Sequence, residues 1–310
     1  MLIFKSIENI PKEERGYSVA IGNFDGMHLG HQSVIEIARE KSGSSSVGVV
    51  TFEPHPRQYF QKNHPIFRLM KSETRQRFLG SFGIDALFEL PFNSLLANLS
   101  PEDFIETVLL EKLNVKNVVV GPDFRFGKNR EGSVNLLKSY KEKNKLDLHI
   151  ANPFMIEGKV VSSSALRKKL AEGSIIEVTK MLSRYYEIEG FVEKGFQRGR
   201  NLGFPTINIG LRNTIVPKHG VYAVFIKILS QDKERTLKGA ASIGSRPTYG
   251  DHEPNIEVFI FDFDENLYGE HVCISLVKFI RPELKFNSEK ELILQMKADC
   301  ETTESLLDND

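Results

Sequence analysis

The chain has 310 residues, a length that favours two domains at about 150 residues each, either of them large enough to bury a core. Hydrophobic residues make up 40% and charged residues 26%, which excludes a disordered chain, and 41 Lys plus Arg balance 41 Asp plus Glu. A formal net charge of zero argues against a protein built to coat nucleic acid or an anionic membrane.

The two cysteines, Cys273 and Cys300, form no CxxC pair, so a disulfide framework and a Cys-based zinc site are excluded and a reducing compartment is expected. The apolar runs are short, such as Val47–Val50 and Val118–Val120, against the roughly 18 residues of a membrane span. The opening segment has no basic head followed by an apolar core, so the expectation is a cytoplasmic protein without a secretory signal.

In chain order, Tyr17–Ile21 reads as a short strand running into a Gly-rich turn, and Gln32–Lys41 as a helix from the spacing of Val34, Ile35 and Ala38. Val47–Phe52 is an apolar run typical of a buried strand. Thr74–Gly83 reads as a helix and Asp85–Leu90 as a strand. Ser100 caps a helix with Pro101 in its first position, running to Leu113, and Asn117–Val120 is another buried strand. This alternation predicts a parallel sheet covered by helices.

After about Leu182 the pattern changes. Tyr186–Val192, Val221–Ile228, Leu237–Ile243, Ile256–Phe261 and Val272–Phe279 read as strands separated by Gly, Pro and Asp turns, which predicts an antiparallel barrel or sandwich. Ser288–Cys300 reads as an amphipathic helix, and the acidic tail beyond it is expected to fray. The domains are therefore drawn as 1–183, α/β, and 184–310, all-β.

The sharpest motif is Gly22-Asn23-Phe24-Asp25-Gly26-Met27-His28-Leu29-Gly30-His31, set between a strand and a helix. Glycines permit tight turns and close backbone approach, and the helix start offers N–H groups and a dipole suited to phosphate. His28 and His31, three apart, share one face of a helical turn, where an imidazole can donate to a phosphoryl oxygen. In Val161-Ser162-Ser163-Ser164-Ala165-Leu166-Arg167, Ser163 or Ser164 is a natural N-cap, and Arg167 adds a second anion grip. Phe52-Glu53-Pro54-His55-Pro56 and Gly121-Pro122-Asp123-Phe124-Arg125-Phe126-Gly127 follow strands, where loops line the crevice of an open parallel sheet.

These four motifs, in this order, resemble the HxGH nucleotidyltransferases and, within them, the FMN adenylyltransferase module of the bacterial bifunctional riboflavin kinase/FAD synthetase family. Ser164 stands where that family usually has Thr, and Leu166 where it often has Ile. The resemblance implies a Rossmann-like domain that joins FMN to AMP from ATP. Nucleotide and phosphate contacts would come from Gly22, Asn23, Phe24, His28, His31, Asp123, Arg125, Ser163, Ser164 and Arg167, with His28 and His31 in the catalytic role.

In the second half, Gly195, Gly199 and Gly203, with Lys194, Arg198 and Arg200, make a basic loop able to wrap phosphates. It is not GxGxxG, and GPDFRFGKN is not a P-loop, because Asn129 stands where Ser or Thr is needed. Thr206 and Asn208 point to the same side of a strand and offer two neutral oxygens suited to Mg²⁺, or form a polar outer face. Glu257 shares a strand face with Phe259 and Phe261, opposite Ile256, Val258 and Ile260, which makes it a candidate general base or one member of a solvated face. An EF-hand starting at Asp262 is rejected, because Leu267 replaces its Gly and Cys273 its Glu.

GRNLGFPTIN, PKHGVYA, SIGSRPTY, LYGEHV and Arg281-Pro282-Glu283 resemble riboflavin kinase in that family's order, with Ile207 in place of Ala and Ser242 in place of Asn. That resemblance implies a six-stranded antiparallel β-barrel with a terminal helix, transferring phosphate from ATP to riboflavin. Glu257 would be the base, Thr206 and Asn208 the Mg²⁺ ligands, and Gly195, Gly199, Arg200 and Gly203 the nucleotide loop. Arg246, Pro247, Thr248 and Arg281 would contact the flavin. The expected partners are ATP, riboflavin and FMN, with FAD as product. No nucleic acid and no membrane is expected, and room is left for weak self-association.

Overall fold

The computed structural model describes residues 1–8, 10–61, 66–194, 202–230, 235–245 and 254–309. The chain divides into two compact units, Met1–Pro65 with Lys71–Ser162, and Ile66–Met70 with Ser163–Asp310.

The first unit is built on six parallel strands: β1 Leu2–Phe4, β2 Ser18–Ile21, β3 Val47–Glu53, β4 Ala86–Pro91, β5 Asn117–Val120 and β6 Asp147–Ile150. They lie side by side in the order β1-β4-β3-β2-β5-β6. Every residue of β2, and all but the last of β3, is buried, as expected of a parallel sheet covered on both faces. The chain runs outward from β2 through β3 and β4 and then restarts on the other side at β5. The order therefore reverses between β2 and β5, and the crevice at the carboxyl ends of these two strands is the favoured ligand position in such sheets. The loops that open there are Gly22–His28 and Gly121–Gly127.

The helices follow the sequence pattern, with corrections. Leu29–Glu40 buries Val34, Ile35 and Ala38, and Ser72–Ser81 buries Thr74, Arg75, Phe78 and Leu79. Ser100 does cap its helix, its hydroxyl accepting from the Asp103 N–H at 3.0 Å. Only Pro101–Asp103 is α-helical, however, and Phe104–Lys112 is wound as a π-helix. Strands β1 and β6 and the helix Val134–Glu142 were not expected from the sequence.

The second unit is one six-stranded antiparallel sheet: β7 Tyr186–Phe191, β8 Thr206–Gly210, β9 Gly220–Ile228, β10 Thr236–Ser245, β11 Pro254–Ile260 and β12 His271–Arg281. Their order is β7-β12-β9-β10-β11-β8. The sheet curls until its two ends meet in a single bridge, in which the Glu193 N–H donates to the Asn208 carbonyl at 2.8 Å. This resolves the alternative of barrel or sandwich in favour of the curled sheet. Alternate residues Ile188, Val224, Ile226, Ile256, Val258, Ile274 and Leu276 fill its inside.

Two helices, Ser163–Glu172 and Ile175–Leu182, precede the sheet and belong to this unit. The first begins at Ser163, so Ser163 and Ser164 lie inside its first turn rather than ahead of it as caps.

The C-terminal helix runs from Glu289 to Leu307. The acidic tail does not fray at Cys300, because Asp299, Thr303 and Leu307, spaced four apart, are buried on one helix stripe. Arg281 at the end of β12 grips Asp299 with three contacts of 2.6, 2.9 and 3.1 Å, and Ser288 caps the helix at 3.2 Å. Leu307→Ala should cost about 2 kcal/mol in urea unfolding of the full chain, the low end for a buried leucine; an unchanged midpoint would show that the tail does not dock.

Candidate functional site

In the first unit, the loop after β2 is held in an unusual shape. Phe24 (φ 50°) and Met27 (φ 46°) take left-handed backbone although neither is glycine, and both are completely buried. Such strain persists only where the surroundings fix the chain.

The His28 ring turns back over the helix it precedes, and its Nδ1 accepts from the His31 N–H at 3.2 Å, making His28 the N-cap of Leu29–Glu40. An acceptor at Nδ1 puts the imidazole proton on Nε2, which becomes the donor side of the ring. The two imidazoles stack, with centroids 3.6 Å apart and planes 17° from parallel. Gly30 suits this stack, since a Cβ there would press on the ring, 3.1 Å from His28 Nδ1 and 3.2 Å from its Cε1. Gly22 has no such need, because a Cβ would find ordinary space.

Behind this loop lies a buried ion network that sequence reasoning missed. Arg75, wholly buried, donates from Nη2 to Glu89 at 2.7 Å and to Glu53 at 3.0 Å, and from Nη1 to the Asn23 carbonyl at 3.3 Å. Ser72 and Gln76, on the same helix face, donate to Glu89 at 2.6 and 3.1 Å. Burial alone would raise the Glu89 pKa. Hydrogen bonds from Ser72 and Arg75, the Arg75 charge and a bond from Gln76 outweigh it and hold the carboxyl below its ordinary range. The one sequence signal was a carboxylate inside the apolar run Ala86–Leu90.

Glu53 leads into Pro54 and His55, and His55 Nδ1 caps the short helix Pro56–Phe60, accepting from Arg57 N–H at 3.1 Å. His55, Arg57, Arg125 and Lys128 rim a cavity of about 620 Å³ whose walls include Phe52, Phe60, Phe92, Phe104 and Phe126. An aromatic wall with a basic edge suits a planar ring system that carries a phosphate. Asp123 is exposed in the same loop as Arg125.

The remaining anion-binding candidates, Ser163, Ser164 and Arg167, belong to the second compact unit. Arg167 Nε donates to the Phe67 carbonyl at 2.6 Å, and its guanidinium lies 5.3 Å from the Phe67 ring centroid.

In the second unit, antiparallel pairing places Asn208 on β8 directly opposite Glu257 on β11. Between them reaches Asn255, whose amide donates to Asn208 Oδ1 at 3.3 Å and to Glu257 Oε1 at 3.2 Å. Asn208 and Asn255 are buried, whereas Glu257 is half-buried and lines a cavity of about 700 Å³ with Thr206, Phe259, Arg281 and Met296. Asn255, like Arg75 and Glu89, was missed by sequence reasoning. Thr206 also lines a second cavity of about 460 Å³, with Pro205, Ile207 and the segment Phe263–Tyr268.

Thr206 is thus a wall shared by two cavities. The oxygens of Thr206, Asn208 and Glu257 are hard donors, and Asn255 turns two of them, so the donor set fits Mg²⁺. The Cys300 thiol in the larger cavity is pushed up to about 11 by burial and by the charges of Asp299, Glu304 and Glu301, so it remains a protonated thiol.

Of the other expected residues, Arg281 is committed to Asp299. Gly203 takes left-handed backbone (φ 86°) ahead of β8. Gly195, Gly199, Arg200, Arg246, Pro247 and Thr248 lie outside the described residues.

Comparison with known proteins agrees with both halves. The FAD synthetase family model matches residues 10–165 and the riboflavin kinase model residues 182–307. Among curated relatives, the bifunctional riboflavin kinase/FMN adenylyltransferase of Buchnera aphidicola is 36% identical over 96% of both chains. That of Haemophilus influenzae is 32% identical over 100% of both, and that of Escherichia coli 35% over 96% of both. A solved structure from Streptococcus pneumoniae, described as a macrolide-efflux protein, has a TM-score of 0.85 with 31% identity over 98% of each chain. Among the described residues of the present chain, no helix is long and apolar enough to cross a membrane. With two family models in tandem and relatives matched from end to end, the chain belongs to the bifunctional riboflavin kinase/FMN adenylyltransferase family.

Proposed function

We propose that the two units carry out successive transfers from ATP, riboflavin to FMN in the barrel and FMN to FAD on the parallel sheet. The observation that supports this most directly is that each unit holds a site of its own, the stacked His28–His31 pair in one and the Asn208–Asn255–Glu257 cluster in the other.

In the kinase site, riboflavin takes the 700 Å³ cavity and the nucleotide the 460 Å³ cavity, so the phosphoryl group passes at their shared wall, Thr206. Glu257 orients the ribityl 5′-hydroxyl and accepts its proton as the oxygen attacks the γ-phosphorus, while the bond from that phosphorus to the β-phosphate oxygen breaks and ADP leaves. Thr206 and Asn208 would hold Mg²⁺, which when bound offsets charge on the phosphates. Gly195, Gly199, Arg200 and Gly203 form the nucleotide loop. Arg246, Pro247 and Thr248 contact the flavin, and Arg281 acts by pinning the helix that forms one wall of its cavity.

In the adenylyltransferase site, FMN lies in the aromatic cavity with its phosphate at the basic edge. A phosphate oxygen of FMN attacks the α-phosphorus of ATP, the bond to the β-phosphate oxygen breaks, and pyrophosphate leaves. No protein nucleophile is needed. His28, donating from Nε2, and His31 stabilise the charge that develops on the transferred and leaving phosphates. Gly22, Asn23, Phe24, Asp123 and Arg125 shape the nucleotide pocket. Ser163, Ser164 and Arg167 are assigned to the nucleotide on motif order alone. The functional division is placed at 183/184, just after the start of the riboflavin kinase match. With two cysteines outside any disulfide, we place the protein in the cytoplasm, acting on small molecules without nucleic acid or membrane.

His28→Ala combined with His31→Ala should lower FAD formation from FMN by about 100-fold or more and leave riboflavin phosphorylation within about twofold; equal loss of both activities in a folded protein would contradict two separate sites. Glu257→Gln should do the reverse, lowering riboflavin phosphorylation about 100-fold, and normal kinase turnover would remove Glu257 from the role of base. Asn208→Ala should raise the Mg²⁺ concentration the kinase needs, and an unchanged Mg²⁺ titration would take Asn208 out of the ligand set.

A further inference from the structure

Between Gly22 and Met27 the histidine loop is held in part locally, by Gly26 in left-handed backbone (φ 93°), by the Met27 N–H donating to the Phe24 carbonyl at 3.3 Å and by the Gln32 amide donating to the Met27 carbonyl at 2.9 Å. Phe24 and Met27 are both left-handed and buried. From behind, side chains also reach the Asn23 carbonyl. That oxygen accepts from Arg75 Nη1 at 3.3 Å and from Thr51 Oγ1 at 3.4 Å.

The same guanidinium holds Glu53, the residue that leads into Pro54 and His55 at the basic rim of the aromatic cavity. Its other anchor is Glu89 on β4, which Ser72 and Gln76 hold from the Arg75 helix. One planar cation therefore ties two separate loops, at the ends of neighbouring strands β2 and β3, to a fixed point on a third strand.

From this we infer that Arg75 is a positioning residue for adenylyl transfer, setting the spacing between the histidine loop and the Glu53–His55 loop without touching substrate. The proposal rests on the reading of the His28–His31 loop as the adenylyltransferase site. It goes further by assigning the alignment of two substrate-bearing loops to one buried guanidinium. The fork geometry is essential to it. Arginine presents N–H groups in two directions in one plane, whereas a lysine ammonium is a compact point charge that cannot span Glu53, Glu89 and the Asn23 carbonyl together.

The test is Arg75→Lys in the full chain, with the riboflavin kinase reaction as an internal control. The charge is kept and the fork is lost. In FAD formation from FMN and ATP, we expect kcat to fall at least tenfold and KM for ATP to rise at least fivefold. Riboflavin phosphorylation should stay within twofold and the thermal midpoint within a few degrees.

Because a buried arginine is also a stability risk, the double variant Arg75→Met/Glu89→Gln is measured beside it. It removes the cation together with its most buried counter-charge, and the same split in kcat and KM is expected. Values of kcat and KM for ATP within twofold of wild type in a folded variant would overturn the inference. So would a loss at unchanged KM that follows the folded fraction, which is what a merely structural residue would give.

The His28→Ala/His31→Ala variant, run in parallel, separates the two levels. If it retains FAD formation, the site reading falls and takes this inference with it. If it loses FAD formation while Arg75→Lys keeps it, only the inference about Arg75 falls.

Discussion

Antiparallel pairing between β8 and β11 puts Asn208 opposite Glu257, and the geometry of the candidate kinase site depends on that register. A slip of one residue would turn Glu257 and Thr206 into the apolar inside of the barrel and bring Val258 and Ile207 out. The register is held by burial of Ile209, Ile256 and Val258 on one face and by the Asn255 amide, which bonds to Asn208 and Glu257 on the other. The same core that stabilises the barrel therefore places a carboxylate and a carboxamide oxygen side by side. The bridge from Glu193 to the Asn208 carbonyl adds to this by closing the sheet at the strand that carries the metal-binding candidates.

The parallel-sheet unit solves a different problem with a different device. Its site lies on loops, and loops have no ladder to fix them. Here a buried charge network spans two of them. Arg75 reaches a carbonyl in one loop and a carboxylate in another, and Glu89 is kept ionised by the donors around it. A buried pair of this kind is weak evidence for stability, since removing both charges from water offsets much of their attraction. Its contacts span both loops and a neighbouring strand. The stacked histidines then shape the loop locally, with His28 capping the helix through Nδ1 and leaving Nε2 as the donor side of the ring.

Much of this was legible in the sequence where the signal is local. The runs around Val49, Val119, Val224 and Ile274 are apolar and β-branched, and they are the sheet cores. The motif Gly22–His31 was legible as a turn between a strand and a helix, although the His28 ring folded over Gly30 is visible only in three dimensions. Short strands such as Leu2–Phe4, which is mostly exposed, carry too little pattern to be read. The tail was misread because acidic composition suggested fraying, while the stripe Asp299, Thr303 and Leu307 docks it. Arg75, Glu89 and Asn255 escaped notice for one reason. Each acts through partners that include residues 14 to 52 positions away, and the neighbouring sequence does not name those partners.

The central claim is that one chain carries two independent sites used in order. The most direct measurement is a time course of riboflavin with the purified full chain, ATP and Mg²⁺, with the flavins separated by chromatography. The account predicts FMN first and FAD after it, with FAD also forming when FMN is supplied without riboflavin. Failure of riboflavin to yield FMN, or of supplied FMN to yield FAD, would contradict it.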